Sequence, residues 1–163
     1  MTIELSDFVV RVLFAGFCGL AVGLDREVKR KPLGVRAYIL VAMGSAALMV
    51  VTLSFSLSSR ANDTDLVTDP TRLIQGIVGG IGFLGAGAIM TQGESGRLRG
   101  VASGAAIWCS GAIGISSGLG YLKEAALVAV IIFITLNLSN WLPLAKIDRS
   151  RDAEDDKEPS RSD

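Results

Sequence analysis

The chain contains no histidine. That removes the side chain best suited to moving protons at neutral pH and argues against a zinc centre. Its two cysteines, Cys18 and Cys109, both lie inside apolar stretches without CxxC spacing. They read as buried small hydrophobes rather than a redox pair. Sixteen basic residues balance sixteen acidic ones. No basic stripe interleaved with aromatics appears, so nucleic acid is excluded as a partner class. Met1-Thr2-Ile3 lacks the glycine that myristoylation requires. Nor does the start resemble a cleaved signal peptide. Glu4 and Asp7 make its first residues acidic, and no small-x-small site precedes the basic cluster. No nucleophile–base pair or metal-ligand cluster stands out, so neither an enzyme nor a cofactor is expected, and no metal ligands are assigned.

What is abundant is apolar sequence. Half the residues are hydrophobic and the mean hydropathy is +0.47. Five apolar stretches, residues 8–24, 37–57, 73–90, 100–119 and 125–144, occupy most of the chain. A hydrocarbon core of ~30 Å needs about 17–25 helical residues, and each stretch falls in that range. The expected fold is an all-α polytopic membrane bundle of about five transmembrane helices, with residues 1–145 forming one domain. From Lys146 the chain carries five basic and seven acidic residues with no apolar face. Residues 146–163 therefore read as a disordered, charged cytoplasmic tail.

Charge asymmetry sets the expected orientation. Residues 25–36 carry five basic residues, Arg26, Lys29, Arg30, Lys31 and Arg36, against the two acids Asp25 and Glu27. Residues 58–72 carry two basic and three acidic residues, and residues 91–99 carry two basic ones. Placing the first loop in the cytoplasm puts residues 91–99 and the tail there too, giving N-terminus outside and C-terminus inside. Four spans, with a glycine-broken pair sharing one hairpin, is the alternative. Asp69-Pro70 before Thr71 and Arg72 reads as a capped helix start.

Glycine is the second abundance. Nineteen are present, six of them within residues 76–87. Pairs four apart, such as Gly19/Gly23, Gly76/Gly80 and Gly114/Gly118, make grooves in which helices approach closely, and Gly104 belongs to a further such pair. Gly79, Gly80, Gly82, Gly85 and Gly87 cover several faces of the third helix, more than one interface needs. Such density weakens a helix and suggests an interrupted segment of the kind that forms ion sites. Gly80-Ile-Gly-Phe-Leu-Gly85 matches GxGxxG by letter. It lacks a preceding strand and sits at membrane depth, so it is no nucleotide fingerprint.

The charged flanks supply the candidate site. Asp25, Arg26 and Glu27 end the first helix, Arg36 opens the second, Arg72 the third, and Arg97 and Arg99 precede the fourth. Each suits a solvated or headgroup-facing flank. Together they also suit an ion-pair or partner site at the cytoplasmic mouth, with Asp25 set among arginines. Asp7 and Arg11, four apart, share a helix face. Arg11 is then either an outer anchor or part of an interior pair. Asn137 and Asn140 are expected to hydrogen-bond across helices.

These elements, in order, resemble the MgtC/SapB family of bacterial inner-membrane proteins. They are Gly23-Leu-Asp-Arg-Glu27, Pro32-Leu-Gly-Val-Arg36, Asp69-Pro-Thr-Arg72, the glycine run from Gly79 to Ile89, Arg97-Leu-Arg-Gly100, Ala105-Ala-Ile-Trp108, Ala112-Ile-Gly-Ile115 and Gly118-Leu-Gly120. The resemblance covers residues 8–142. By position it places the family's acidic-arginine-glutamate element on Asp25, Arg26 and Glu27. Its glycine-arginine element falls on Gly34 and Arg36, its loop arginine on Arg72, and its glycine core on Gly79 to Gly87. Where the family has Leu-Thr-Thr-Ala, this chain has Val101-Ala-Ser-Gly104, without a hydroxyl at 102. Many members also carry a C-terminal cytoplasmic domain in place of a short tail.

The resemblance implies a multi-pass protein of the bacterial inner membrane, linked to growth at low magnesium and to virulence. It implies a regulator of ion homeostasis or membrane energetics in contact with a membrane partner such as ATP synthase. A transporter of magnesium or another small ion is the alternative. Membrane lipid and a second copy of the chain are the other partners considered.

Overall fold

In the computed structural model of the chain, residues 3–29, 31, 33–61, 69–92 and 97–141 are described. For residues 60, 61, 90–92, 97, 98 and 139–141 the description covers the backbone alone. The charged tail and the side chain of Asn140 thus lie outside it.

Five helices follow one another: α1 (Leu5–Val28), α2 (Val35–Ala61), α3 (Pro70–Gly87), α4 (Val101–Gly118) and α5 (Leu122–Trp141). The chain is an all-α bundle. By length and composition, α1, residues Val35–Ser59 of α2, and α4 are each apolar and long enough to cross a membrane. At ~1.5 Å per residue, the 24 residues of α1 span about 36 Å, more than the hydrocarbon core.

Sequence explains the helix ends. Asp69 caps α3 as its spacing predicts: its carboxylate accepts from the Thr71 N–H at 2.9 Å and the Thr71 hydroxyl at 2.7 Å. Pro70 occupies the first turn, where a missing N–H costs nothing. A short antiparallel hairpin, β1 (Met90–Gln92) and β2 (Arg97–Arg99), joins α3 to α4, with Met90 opposite Arg99 and Gln92 opposite Arg97. Gly100, at φ +88°, turns the chain from β2 into α4, and a Cβ there would run into the Ala88 carbonyl. Only glycine holds that corner without strain.

α4 is the central helix, packed against each of the other four. Eleven of its eighteen residues are buried, and eight of those eleven are Gly, Ala or Ser. Small side chains let backbones meet. A Cβ at Gly114 would strike the Ala42 carbonyl of α2, and one at Gly104 would lie 2.6 Å from the Gly85 carbonyl of α3. Gly19 and Gly23 of α1 close the same way on Tyr38 and Val35 of α2. In lipid, where helices gain nothing by hiding apolar surface from one another, such close contact carries the association.

α3 differs. It runs unbroken from Pro70 to Gly87, so the interruption suggested by its glycines is not there. It buries one stripe, Ile77, Ile81 and Gly85, each four residues from the next. Ile77 and Ile81 join Met49 and Ile115 in a cluster between α2, α3 and α4.

Candidate functional site

The last turn of α1 meets the start of α2, the start of α4 and the last turns of α5, and the charged residues gather there. Asp25 and Lys29, one helical turn apart, pair at 2.6 Å. The Asp25 side chain is 6% exposed and that of Lys29 22%. Lys29 Nζ also donates to the Leu136 carbonyl at 3.2 Å and to Asn137 Oδ1 at 3.3 Å, tying α1 to α5. The second Asp25 oxygen is buried without a hydrogen-bond partner. Asp25 therefore pairs with the lysine that caps its own helix, whereas the sequence had set it among arginines.

Arg26 turns inward instead. It is 5% exposed, and Nη2 donates to Ser103 Oγ of α4 at 3.0 Å. Its Nε is buried and unpartnered. The Tyr38 hydroxyl lies beside Ser103 and Arg26 but meets no partner at hydrogen-bonding geometry. Glu27 faces outward, where Oε2 accepts from the Val35 N–H at 2.9 Å and so caps α2. A Cβ at Gly34 would sit 3.1 Å from that oxygen, a tight contact with the end of a flexible side chain.

Among the described residues, no hydrogen bond or ion pair joins Arg36, Arg72 or Arg99 to this cluster. Arg36 and Arg99 are exposed, and the side chain of Arg97 is outside the described residues. Arg72, also exposed, opens α3 at the far end of the bundle, where Leu73 and Leu119 pack against one cluster. At that far end Arg11 bridges Asp7, at 3.1 Å, and the Gly118 carbonyl closing α4, at 3.0 Å. It braces the turn at Gly120, φ +94°.

The glycines divide. Gly19, Gly23, Gly85, Gly104, Gly114 and Gly118 each face atoms of a neighbouring helix, whereas a Cβ at Gly76, Gly79, Gly80, Gly82 or Gly87 would meet nothing within 4 Å. Those five leave an open face on α3, continued by Phe83, 82% exposed, and Leu84.

Beside the charged cluster, a cleft of about 580 Å³ opens between α4 and α5. Arg26, Lys29 and Lys31 line it together with apolar side chains of the two helices. Sequence reasoning did not place Lys29, Tyr38 or Ser103 in the site. Lys29 was within reach, because an acid followed four residues later by a lysine pairs on a helix. Ser103 retains the second hydroxyl position of the altered Val101–Gly104 element. Tyr38 carries no local signal.

The chain is 38% identical to Protein MgtC of Salmonella typhimurium over 131 residues, 80% of this chain and 51% of that protein. It is 31% identical to Protein SapB of Bacillus subtilis over 83% of this chain and 58% of that one. To the putative magnesium transporter YhiD of Escherichia coli it is 27% identical, covering 89% and 66%. The chain thus spans about half the length of relatives such as MgtC and SapB. No solved structure matches it. The sequence model of the MgtC family matches residues 12–144, which takes in every helix from the second turn of α1 to the end of α5, and the chain belongs to that family.

Proposed function

We propose that the chain is a non-enzymatic, multi-pass regulator in the bacterial inner membrane, serving ion homeostasis or membrane energetics in adaptation to low magnesium. It acts by helix contact with a membrane partner such as ATP synthase. The observation that carries this reading is the open glycine face of α3. Five glycines beside Phe83 and Leu84 form a surface on which another helix can lie backbone to backbone. The charged end of the bundle supports it as well. Asp25 is already neutralised by Lys29, and the neighbouring cleft keeps two further cations in its lining, Arg26 and Lys31, which repel Mg²⁺. A second copy of the chain is a further occupant for the α3 face.

The alternative reading, transport of magnesium or another small ion, draws on the name of the Escherichia coli relative. Magnesium flux into proteoliposomes separates the two, run with the purified chain, Asp25→Asn and empty vesicles. No saturable uptake by folded, inserted protein is expected. Saturable uptake abolished by Asp25→Asn would overturn the regulatory reading. In parallel, Gly79→Leu and Gly82→Leu should sharply reduce crosslinking to ATP synthase while leaving the bundle folded. Unchanged crosslinking would remove α3 as the contact.

A further inference from the structure

Among the described residues, Arg26 is a cation without a counter-charge. Its guanidinium is almost wholly buried, its one side-chain hydrogen bond runs to the neutral Ser103 hydroxyl, and its Nε has no partner. Among the described residues it forms no ion pair; the pairs there are Arg11–Asp7 and Lys29–Asp25. A buried unpaired charge is costly, so such groups face a counter-charge or a functional cavity. Arg26 faces the cleft between α4 and α5. Lys31, exposed and also outside any ion pair among the described residues, lines the same space. α4 begins beside it at Val101, and Ala102 of that first turn is part of the wall. The positive end of the helix dipole therefore adds to the two side chains.

Beyond Lys29, already paired with Asp25, and the Thr135 hydroxyl, the rest of the wall is apolar. Ala105 comes from α4 and Ile131, Ile132 and Leu136 from α5, where exposed hydrophobic surface continues at Ile134. A small inorganic anion would satisfy the charges and leave these walls uncovered. An anion carrying a hydrocarbon tail covers both. We propose that this cleft seats an anionic phospholipid, its phosphate against Arg26 and Lys31 and an acyl chain along Ile132 and Leu136. The assignment holds whether the chain regulates a partner or moves an ion.

The test uses the full chain in mild detergent, in a Cys18→Ala background. Short-chain phosphatidylglycerol, short-chain phosphatidylcholine and inorganic phosphate are titrated separately. Thermal midpoint and the alkylation rate of Cys109, which lines the cleft, are the readouts. Phosphatidylglycerol should raise the midpoint saturably and slow alkylation, and phosphatidylcholine should do neither. Lys31→Gln and Arg26→Gln should each weaken binding by about tenfold, the loss of one charge-assisted hydrogen bond. Ala105→Phe, at an exposed position on the cleft wall, should abolish it by filling the space. If Arg26→Gln does not fold, Lys31→Gln and Ala105→Phe carry the test. Equal response to phosphatidylcholine, or binding untouched by both of those variants, overturns the proposal. Phosphate acting as well as phosphatidylglycerol overturns the lipid and leaves a free-anion site.

Discussion

Glycine acts in two opposite ways in this molecule, and single substitutions separate them. At Gly118 a new Cβ would lie 2.7 Å from the Ala46 carbonyl, too close for the backbone to yield cheaply. Gly118→Ala should destabilise the bundle by about 1–3 kcal/mol through overpacking. At Gly79 the same methyl meets open space. Gly79→Ala should stabilise the isolated chain by ~0.4–1 kcal/mol, because it narrows the unfolded ensemble without touching a neighbour. Unfolding in detergent, followed by circular dichroism, measures both, and equal effects at the two positions would contradict the packing described. Asp69 offers a test by pH. The Thr71 hydroxyl and N–H hold its carboxylate below the usual aspartate range. A depressed folded pKa means that the cap contributes fully above the ordinary aspartate pKa and is lost as pH falls through the lower, folded value. Asp69→Asn keeps an acceptor for the cap, so the acid limb attributable to α3 should vanish in that variant.

At the scale of elements, the last turn of α1 is the joint of the structure. Lys29 neutralises Asp25 and reaches two acceptors on α5, so one side chain fixes the spacing of two helices. Lys29→Met leaves a buried carboxylate unpaired and should cost about 3–5 kcal/mol. Lys29→Met with Asp25→Leu should recover most of that loss, since removing both charges also removes the desolvation they suffer. A double variant as unstable as the single one would show that the α5 contacts, rather than the ion pair, hold the joint. The pair was readable in the sequence from its four-residue spacing. The bond from Arg26 to Ser103 was not, since 77 residues separate them and only the packing of α1 on α4 brings them together. For α3 the sequence showed glycines on several faces. That only Gly85 of the six meets a neighbour is a property of where α4 lies.

For the whole molecule, the unevenness of charge along the chain makes a prediction about direction. Arg36 and Arg72 are both exposed and open consecutive helices at opposite ends of the bundle. With the basic first loop inside, Arg36→Cys should react with a membrane-impermeant maleimide only from the cytoplasmic face. Arg72→Cys should react only from the outer face. Labelling of both from one side would break the alternation of spans. Reversed sides would invert the orientation while leaving the bundle intact.

Apolar length determined the class of the protein from sequence alone, because a bilayer admits few backbone arrangements and a run of about 20 apolar residues meets the requirement by itself. Helix starts such as Asp69-Pro70 were equally legible, since a cap is made by residues two or three positions apart. Which helix lies at the centre, which glycines touch and which stay open, and where Arg26 finds its hydroxyl were decided by tertiary structure. Small residues state that helices can approach closely. They do not state which helix approaches, because a glycine carries no side chain to choose its neighbour, and that choice is made by the joint packing of all five helices.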